Sequence, residues 1–193
     1  MALILSFSTL AHSKELGTYM SGNLGLAMLA DSDVTDTGIP GYVFNFEYNL
    51  GYFVGAAIGQ NIGNMRAEAE IGLQNNTIDS VSVNGSASSS VYGDQDIRLI
   101  TVLFNFYYDF KTGSAFTPYL SGGLGLGNMK LDGTSKDDAV WAIQIGAGVA
   151  YMISENVMLD LRYRHLQSSD GEFDTTKVEY TSDNAIFSVR YYF

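Results

Sequence analysis

The 193-residue chain has no cysteine and only two prolines. Without cysteine there is no disulfide framework and no thiolate for metal binding or nucleophilic attack. Stability outside a reducing compartment must therefore come from the fold itself. Charge is scarce too: 16% of residues are Asp, Glu, Lys or Arg, and they leave a net charge of −11. An acidic chain repels nucleic acid, which removes that partner class. No apolar run approaches the ~18 residues of a membrane-crossing helix, so helical spanning is excluded. A β-barrel, which crosses with alternating strands, stays open.

What the chain does have is sheet chemistry. Hydrophobic residues make up 46%, with 21 Gly, 13 Tyr and 11 Phe, enough for one domain with a substantial core. In the last stretch the odd positions Ala185, Phe187, Val189, Tyr191 and Phe193 are apolar or aromatic, and Ile186, Ser188, Arg190 and Tyr192 alternate with them. That is the period of two of a strand with unlike faces. The same alternation runs unbroken through Phe44, Phe46, Tyr48, Leu50, Tyr52, Val54, Ala56 and Ile58, which predicts one long second strand. A strand of that length, at ~3.3 Å per residue, outruns a ~30 Å hydrocarbon layer and projects beyond it. Further alternating segments begin near Tyr19, Met65, Ile97, Phe116, Val140 and Val157, with Pro118 at a strand start where proline is tolerated.

The connections alternate in length and charge. Short turns are expected at Asn61–Asn64, Lys111–Ser114 and Ser154–Asn156. Long polar loops are expected around Asp31–Gly38, over Asn75–Asp94, over Lys130–Asp138 and over Gln167–Ser182. With the flanking Asp96 and Asp183, these loop segments carry the whole net charge of −11. Eight strands result, each with an unbroken apolar face. The opposite face reads as glycine, small polar residues and matched charges: Glu47, Glu68, Glu70, Asp109 and Asp160 against Arg66, Arg162, Arg164 and Arg190. A soluble barrel turns its apolar face inward. A charged face can be the interior only where lipid covers the exterior, and lipid tolerates no open sheet edge, so the last strand must pair with the first.

The pattern Val189, Tyr191, Phe193 at the C-terminus, the stretch Thr117-Pro118-Tyr119-Leu120-Ser121-Gly122-Gly123-Leu124-Gly125, and Leu159-Asp160-Leu161-Arg162-Tyr163-Arg164 carry a family likeness. In these features the chain resembles the eight-stranded bacterial outer-membrane β-barrel family, the group of OmpA-type transmembrane domains and small porin-like surface proteins. The expected fold is all-β: an eight-stranded antiparallel up-and-down transmembrane β-barrel over residues 17–193. The resemblance implies an outer-membrane location with both termini periplasmic and contact with outer-membrane lipid and lipopolysaccharide. It also implies that the barrel assembly machinery reads Val189, Tyr191 and Phe193. Residues 1–13, an apolar run ending Ala11-His12-Ser13, read as a signal peptide, truncated or atypical because no Lys or Arg precedes the apolar part. The alternative is an N-terminal strand.

Three functional readings follow. One is a structural or surface-interaction protein acting through acidic extracellular loops, with a host or surface ligand as the partner. A second is a low-conductance porin-like channel lined by the interior charges, the competing view being that these charges form a salt-bridge plug. A third is a lipid-modifying enzyme using His165 on the lipid face, but Gln167 stands where a serine is needed, and an interfacial residue beside Tyr163 is the plainer account. No enzyme is expected and no cofactor. The alternating Asp170, Glu172 and Asp174 lack the glycine and distal glutamate of a calcium loop. Gly123, Gly125 and Gly127 lie within a strand with no helix following, so they are not a nucleotide cradle. Aromatics are expected to girdle both interfaces: Phe44, Trp141 and Tyr163 at the loop end, and Tyr108, Phe110, Phe116, Tyr151, Tyr191 and Phe193 at the turn end.

Overall fold

A computed structural model of the chain describes residues 17–30, 32–35, 43–83, 86–88, 95–131, 137–169, 171–173, 176–178 and 180–193. Eight strands build a closed wall: β1 (Thr18–Leu29), β2 (Gly51–Ile62), β3 (Met65–Val83), β4 (Asp96–Asp109), β5 (Phe116–Leu131), β6 (Asp137–Met152), β7 (Val157–Ser168) and β8 (Thr181–Tyr192). Each pairs antiparallel with its sequence neighbours. The seam closes between β8 and β1, from Tyr19 opposite Tyr192 to Leu29 opposite Ser182. Every wall strand thus has a partner on both sides, which satisfies the backbone without water.

Side-chain parity decides which face is which. Along β8, Ala185, Phe187, Val189 and Tyr191 are exposed while Ser182, Asn184, Ile186, Ser188, Arg190 and Tyr192 are buried. The same holds around the ring: Leu24, Val54, Ile71, Phe104, Leu124, Ile145 and Leu161 all stand outward and exposed. An exterior so uniformly apolar suits lipid and would be insoluble in water.

One end of the barrel is built from tight turns. Gly63 and Gly113 adopt φ of 67° and 70°, left-handed values that glycine takes without strain. Both described chain ends are tied down there: the Phe193 amide donates to the Thr18 carbonyl at 3.1 Å, and the Tyr192 amide to that of Asn156 at 2.8 Å. Close approach rather than dihedral freedom explains two strand glycines. A methyl at Gly59 would fall 2.2 Å from the Tyr19 ring, and one at Gly148 would fall 2.6 Å from the Tyr119 ring.

The structure corrects four expectations. First, the second strand is not continuous. It breaks at Asn49 and Leu50, and Val43–Tyr48 leaves the wall to pair with the far end of β3 through a register shift at Glu47 and Tyr48. Second, β3 runs on to Val83, so residues 75–83 are strand where a loop was expected. At ~3.3 Å per residue, β3 far exceeds a ~30 Å layer and must project from it. Third, the loop segments hold strands of their own: Ser32–Thr35 on Val43–Tyr48, Ser86–Ser88 on β3, and a hairpin of Gly171–Phe173 with Thr176–Val178. Part of the acidic charge, at Asp79, Asp96 and Asp183, therefore sits on strand backbone. Fourth, the interior is not only glycine, small polar residues and charge. Ile97, Leu99, Leu103, Met129, Val140, Leu166 and Ile186 point inward and are fully buried.

Candidate functional site

The turn-end half of the lumen is ionic. Arg66 on β3 reaches Asp109 at the end of β4, Nε to Oδ2 at 2.9 Å. Arg190 on β8 forks onto Asp160 of the adjacent β7, with Nε and Nη2 both 2.7 Å from the carboxylate. Glu70 receives Arg162 Nη2 at 3.0 Å and Arg164 Nη1 at 2.8 Å. Its neighbour Glu68 accepts from Tyr19 at 2.9 Å and Tyr107 at 2.8 Å, and among the described residues no guanidinium hydrogen-bonds to it. Four arginines thus meet three carboxylates, Asp109, Asp160 and Glu70. Burial of a charge is tolerable only with such compensation, and bidentate geometry is the form that arginine supplies.

Tyrosines frame these pairs. The Arg66 guanidinium lies 4.1 Å from the Tyr107 ring centroid and 4.9 Å from that of Tyr119. Arg190 stands over Tyr19 and donates to the Tyr192 hydroxyl at 2.7 Å. Arg162 also donates to the Tyr107 hydroxyl. Packing is nonetheless incomplete. A small gap bordered by Ser21, Asn23, Arg66, Arg162, Ser188 and Arg190 remains, and Arg66 Nη2 and Arg162 Nε lack a protein partner. Ordered water suits such a place.

Among the described residues the loop-end half of the lumen is uncharged. Ile97, Leu99, Leu103, Met129, Val140, Ala142, Leu166 and Tyr180 form one buried cluster, with Leu29 and Tyr48 against it. Facing it is a network of amides and hydroxyls centred on Asn76. Asn76 Nδ2 donates to the carbonyls of Ala27 and Asn49 at 2.9 and 3.2 Å. Its Oδ1 accepts from Gln74 at 3.2 Å and Tyr180 at 3.5 Å. Asn76 therefore pins the place where the chain leaves the wall between Val43–Tyr48 and β2. This explains why the strand breaks there although the alternation of the sequence continues. The Arg164 guanidinium, 4.2 Å from the Phe53 ring centroid, lies between the two halves.

On the outer face of β7 and β8, Asp183 Oδ1 takes the Tyr163 hydroxyl at 2.5 Å and His165 Nδ1 at 2.8 Å. Ser168 points inward and the Ser169 hydroxyl bonds the Trp141 amide at 3.1 Å, so neither stands beside His165 as a nucleophile. Aromatic pairs lie outward at the turn end: Tyr108 with Phe110, Phe116 with Tyr151, and Tyr191 with Phe193, at centroid separations of 5.1, 4.8 and 5.5 Å.

Eight of the nine charges assigned to the interior by parity are brought together: Arg66, Glu68, Glu70, Asp109, Asp160, Arg162, Arg164 and Arg190. The side chains of Glu47, Phe44, Glu172 and the whole of Asp170 and Asp174 lie outside the described residues, as do residues 1–13. The apolar cluster was available to the same parity argument, since Leu99 and Leu103 alternate with Ile100, Val102 and Phe104. Tyr180, inside an acidic stretch without periodicity, left no such signal.

Comparison with known proteins agrees with this geometry. The family model described as an outer membrane protein beta-barrel domain matches residues 1–193. The chain belongs to that family. As a family member it is an integral β-barrel protein of the bacterial outer membrane. It is 27% identical over 213 residues to the outer membrane protein PagN of Salmonella typhimurium, covering 94% of this chain and 85% of that protein. Among solved structures it is similar to Neisserial surface protein A, at 20% identity and a TM-score of 0.63 over 92% of this chain and 97% of that one. Pseudomonas aeruginosa OprG is similar at 17% identity and a TM-score of 0.56, over 93% and 97% respectively. Both support the fold of the outer-membrane barrel.

Proposed function

We propose that this outer-membrane barrel is a membrane anchor that presents acidic loops for interaction at the cell surface. The observation that carries this reading is the polarity of the connections. The net charge of −11 resides in the long segments and the strand ends beside them, whereas the short turns carry one Lys111 and one Glu155 and cancel. On this reading the loop end faces outward, the turn end and both termini are periplasmic, and the partner is basic or bears a basic patch. The apolar exterior contacts membrane lipid and lipopolysaccharide. Val189, Tyr191 and Phe193, outward and exposed at the seam, are the signal for the barrel assembly machinery. The ion-paired interior fixes strand register and does no chemistry.

The test removes residues 84–94 and 170–179 from the full chain, sparing buried Asn76 and Tyr180. Bacteria displaying each form are bound to immobilised polylysine, the simplest basic surface, and to an epithelial monolayer. Adherence above a strain lacking the protein should disappear with the deletion, while the membrane level and heat-dependent electrophoretic shift persist. Adherence equal to that of the intact protein on both surfaces would remove the loops from the account.

A further inference from the structure

We infer that the barrier to ions in this barrel is the uncharged loop-end packing around Leu99, Leu103 and Met129, and that the ion-paired layer below it is not the seal. The obvious candidate for a gate is the set of arginines and carboxylates, because charges that exchange partners can open a path. The two halves of the lumen differ in what each offers to a permeating ion.

In the ionic half, an ion that loses its water meets compensation. Carboxylates and guanidinium groups alternate across the section, tyrosine hydroxyls line it, and a gap remains beside Arg66 Nη2 and Arg162 Nε, donor atoms without a protein partner. Hydration and fixed polar groups there replace the lost shell at modest cost. Arg162 and Arg164 also share a single carboxylate, Glu70, so exchanging one for the other shifts charge without creating an opening.

In the uncharged half the described residues offer no charge to replace the shell. Leu99, Leu103, Met129, Leu166 and Tyr180 are each 1% exposed or less. The polar groups opposite, Gln74, Asn76 and Ser182, bond to each other and to the chain, and Asn184 donates to Ser182, which leaves the neutral Asn184 Oδ1 as a lone acceptor there. Among the described residues no charged side chain belongs to this cluster. A narrow apolar section expels water and blocks ions by dewetting, without any gate of opposite charges. Desolvating an ion with no partner is far costlier than moving it between paired ones.

The lumen seals or conducts whatever the loops bind. The experiment is single-channel recording of the purified, refolded full chain in planar bilayers, in potassium chloride. Each variant is first required to show the heat-dependent shift of a closed barrel. Leu99→Ser with Met129→Ser should convert a silent or nearly silent barrel into one with resolvable steps. Val140→Thr with Ala142→Ser, gentler in volume, should give smaller ones and serves if the first pair does not fold. Arg162→Gln with Arg164→Gln should match wild type. Steps from the arginine pair, or silence from a folded apolar-layer variant, would overturn the inference.

Discussion

The two halves of the lumen solve one packing problem in opposite ways. At the turn end, Arg66, Arg190, Asp160 and Glu70 are buried at 1–4% exposure and are held by directional contacts. At the loop end, leucines, a methionine and a valine fill the same cross-section with contacts that have no direction. The difference teaches where the fold can bear change. A charged group in a low-dielectric interior is costly once its partner is gone, whereas an apolar group loses only its transfer and packing energy. The ionic half should fix which strand residues oppose one another, and the apolar half should decide what passes.

The largest expected effect is at the seam that the turn end closes. Removing Phe193, or Phe193→Asp, should cut the heat-shiftable membrane fraction to a small part of wild type, read by quantitative immunoblot, while the loop deletions leave it unchanged. Equal levels would mean that the seam residue is not a determinant of insertion. Next comes Glu70→Gln, which strands both Arg162 and Arg164. Urea unfolding of the refolded protein should show a loss of about 3–5 kcal/mol, the range for breaking a buried ion pair from one side. Leu103→Ala, in the apolar half, should lose about 2–5 kcal/mol, with the amount set by how far the cluster collapses. If Leu103→Ala proves the costlier of the two, the ranking of the halves is reversed. Replacing both Arg190 and Asp160 by Met and Leu should change stability far less than either substitution alone, because no lone charge remains. Smallest of all, Tyr163→Phe removes an exposed hydrogen bond to Asp183 and should change the urea-unfolding free energy by less than about 1 kcal/mol.

Much of this architecture is legible in the chain because a strand has a period of two. The alternation of Phe187, Val189 and Tyr191 with Ser188 and Arg190 is sufficient to assign faces, and the presence of arginine on the inner one turns the barrel inside out relative to a soluble one. Which arginine meets which carboxylate is not legible. Arg162 meets Glu70 across 92 positions of sequence, and that pairing depends on strand tilt and stagger, which no single strand records. The break at Asn49 and Leu50 is hidden for a similar reason. The residues there keep the alternation, and the departure is enforced by Asn76, a side chain from another strand that takes the Asn49 carbonyl. Residues 75–83 misled through composition: asparagine and serine read as loop, yet ladder bonds to Val43–Tyr48 and β4 hold them extended. Tertiary pairing overrides weak local preference.

The absence of cysteine makes the central claim directly measurable, since any single introduced cysteine can carry the only spin label. In the refolded full chain in bilayers, labels at positions 185 to 189 of β8 should alternate in their collision rates. At Phe187 and Val189, outward and exposed, relaxation should respond to oxygen, which partitions into lipid, and not to an aqueous nickel complex. At Ser188, inward and buried, it should respond to neither. Nickel access at Phe187 would put the apolar face in water, and nickel access at Ser188 would put a water-filled pore where the account has a packed interior.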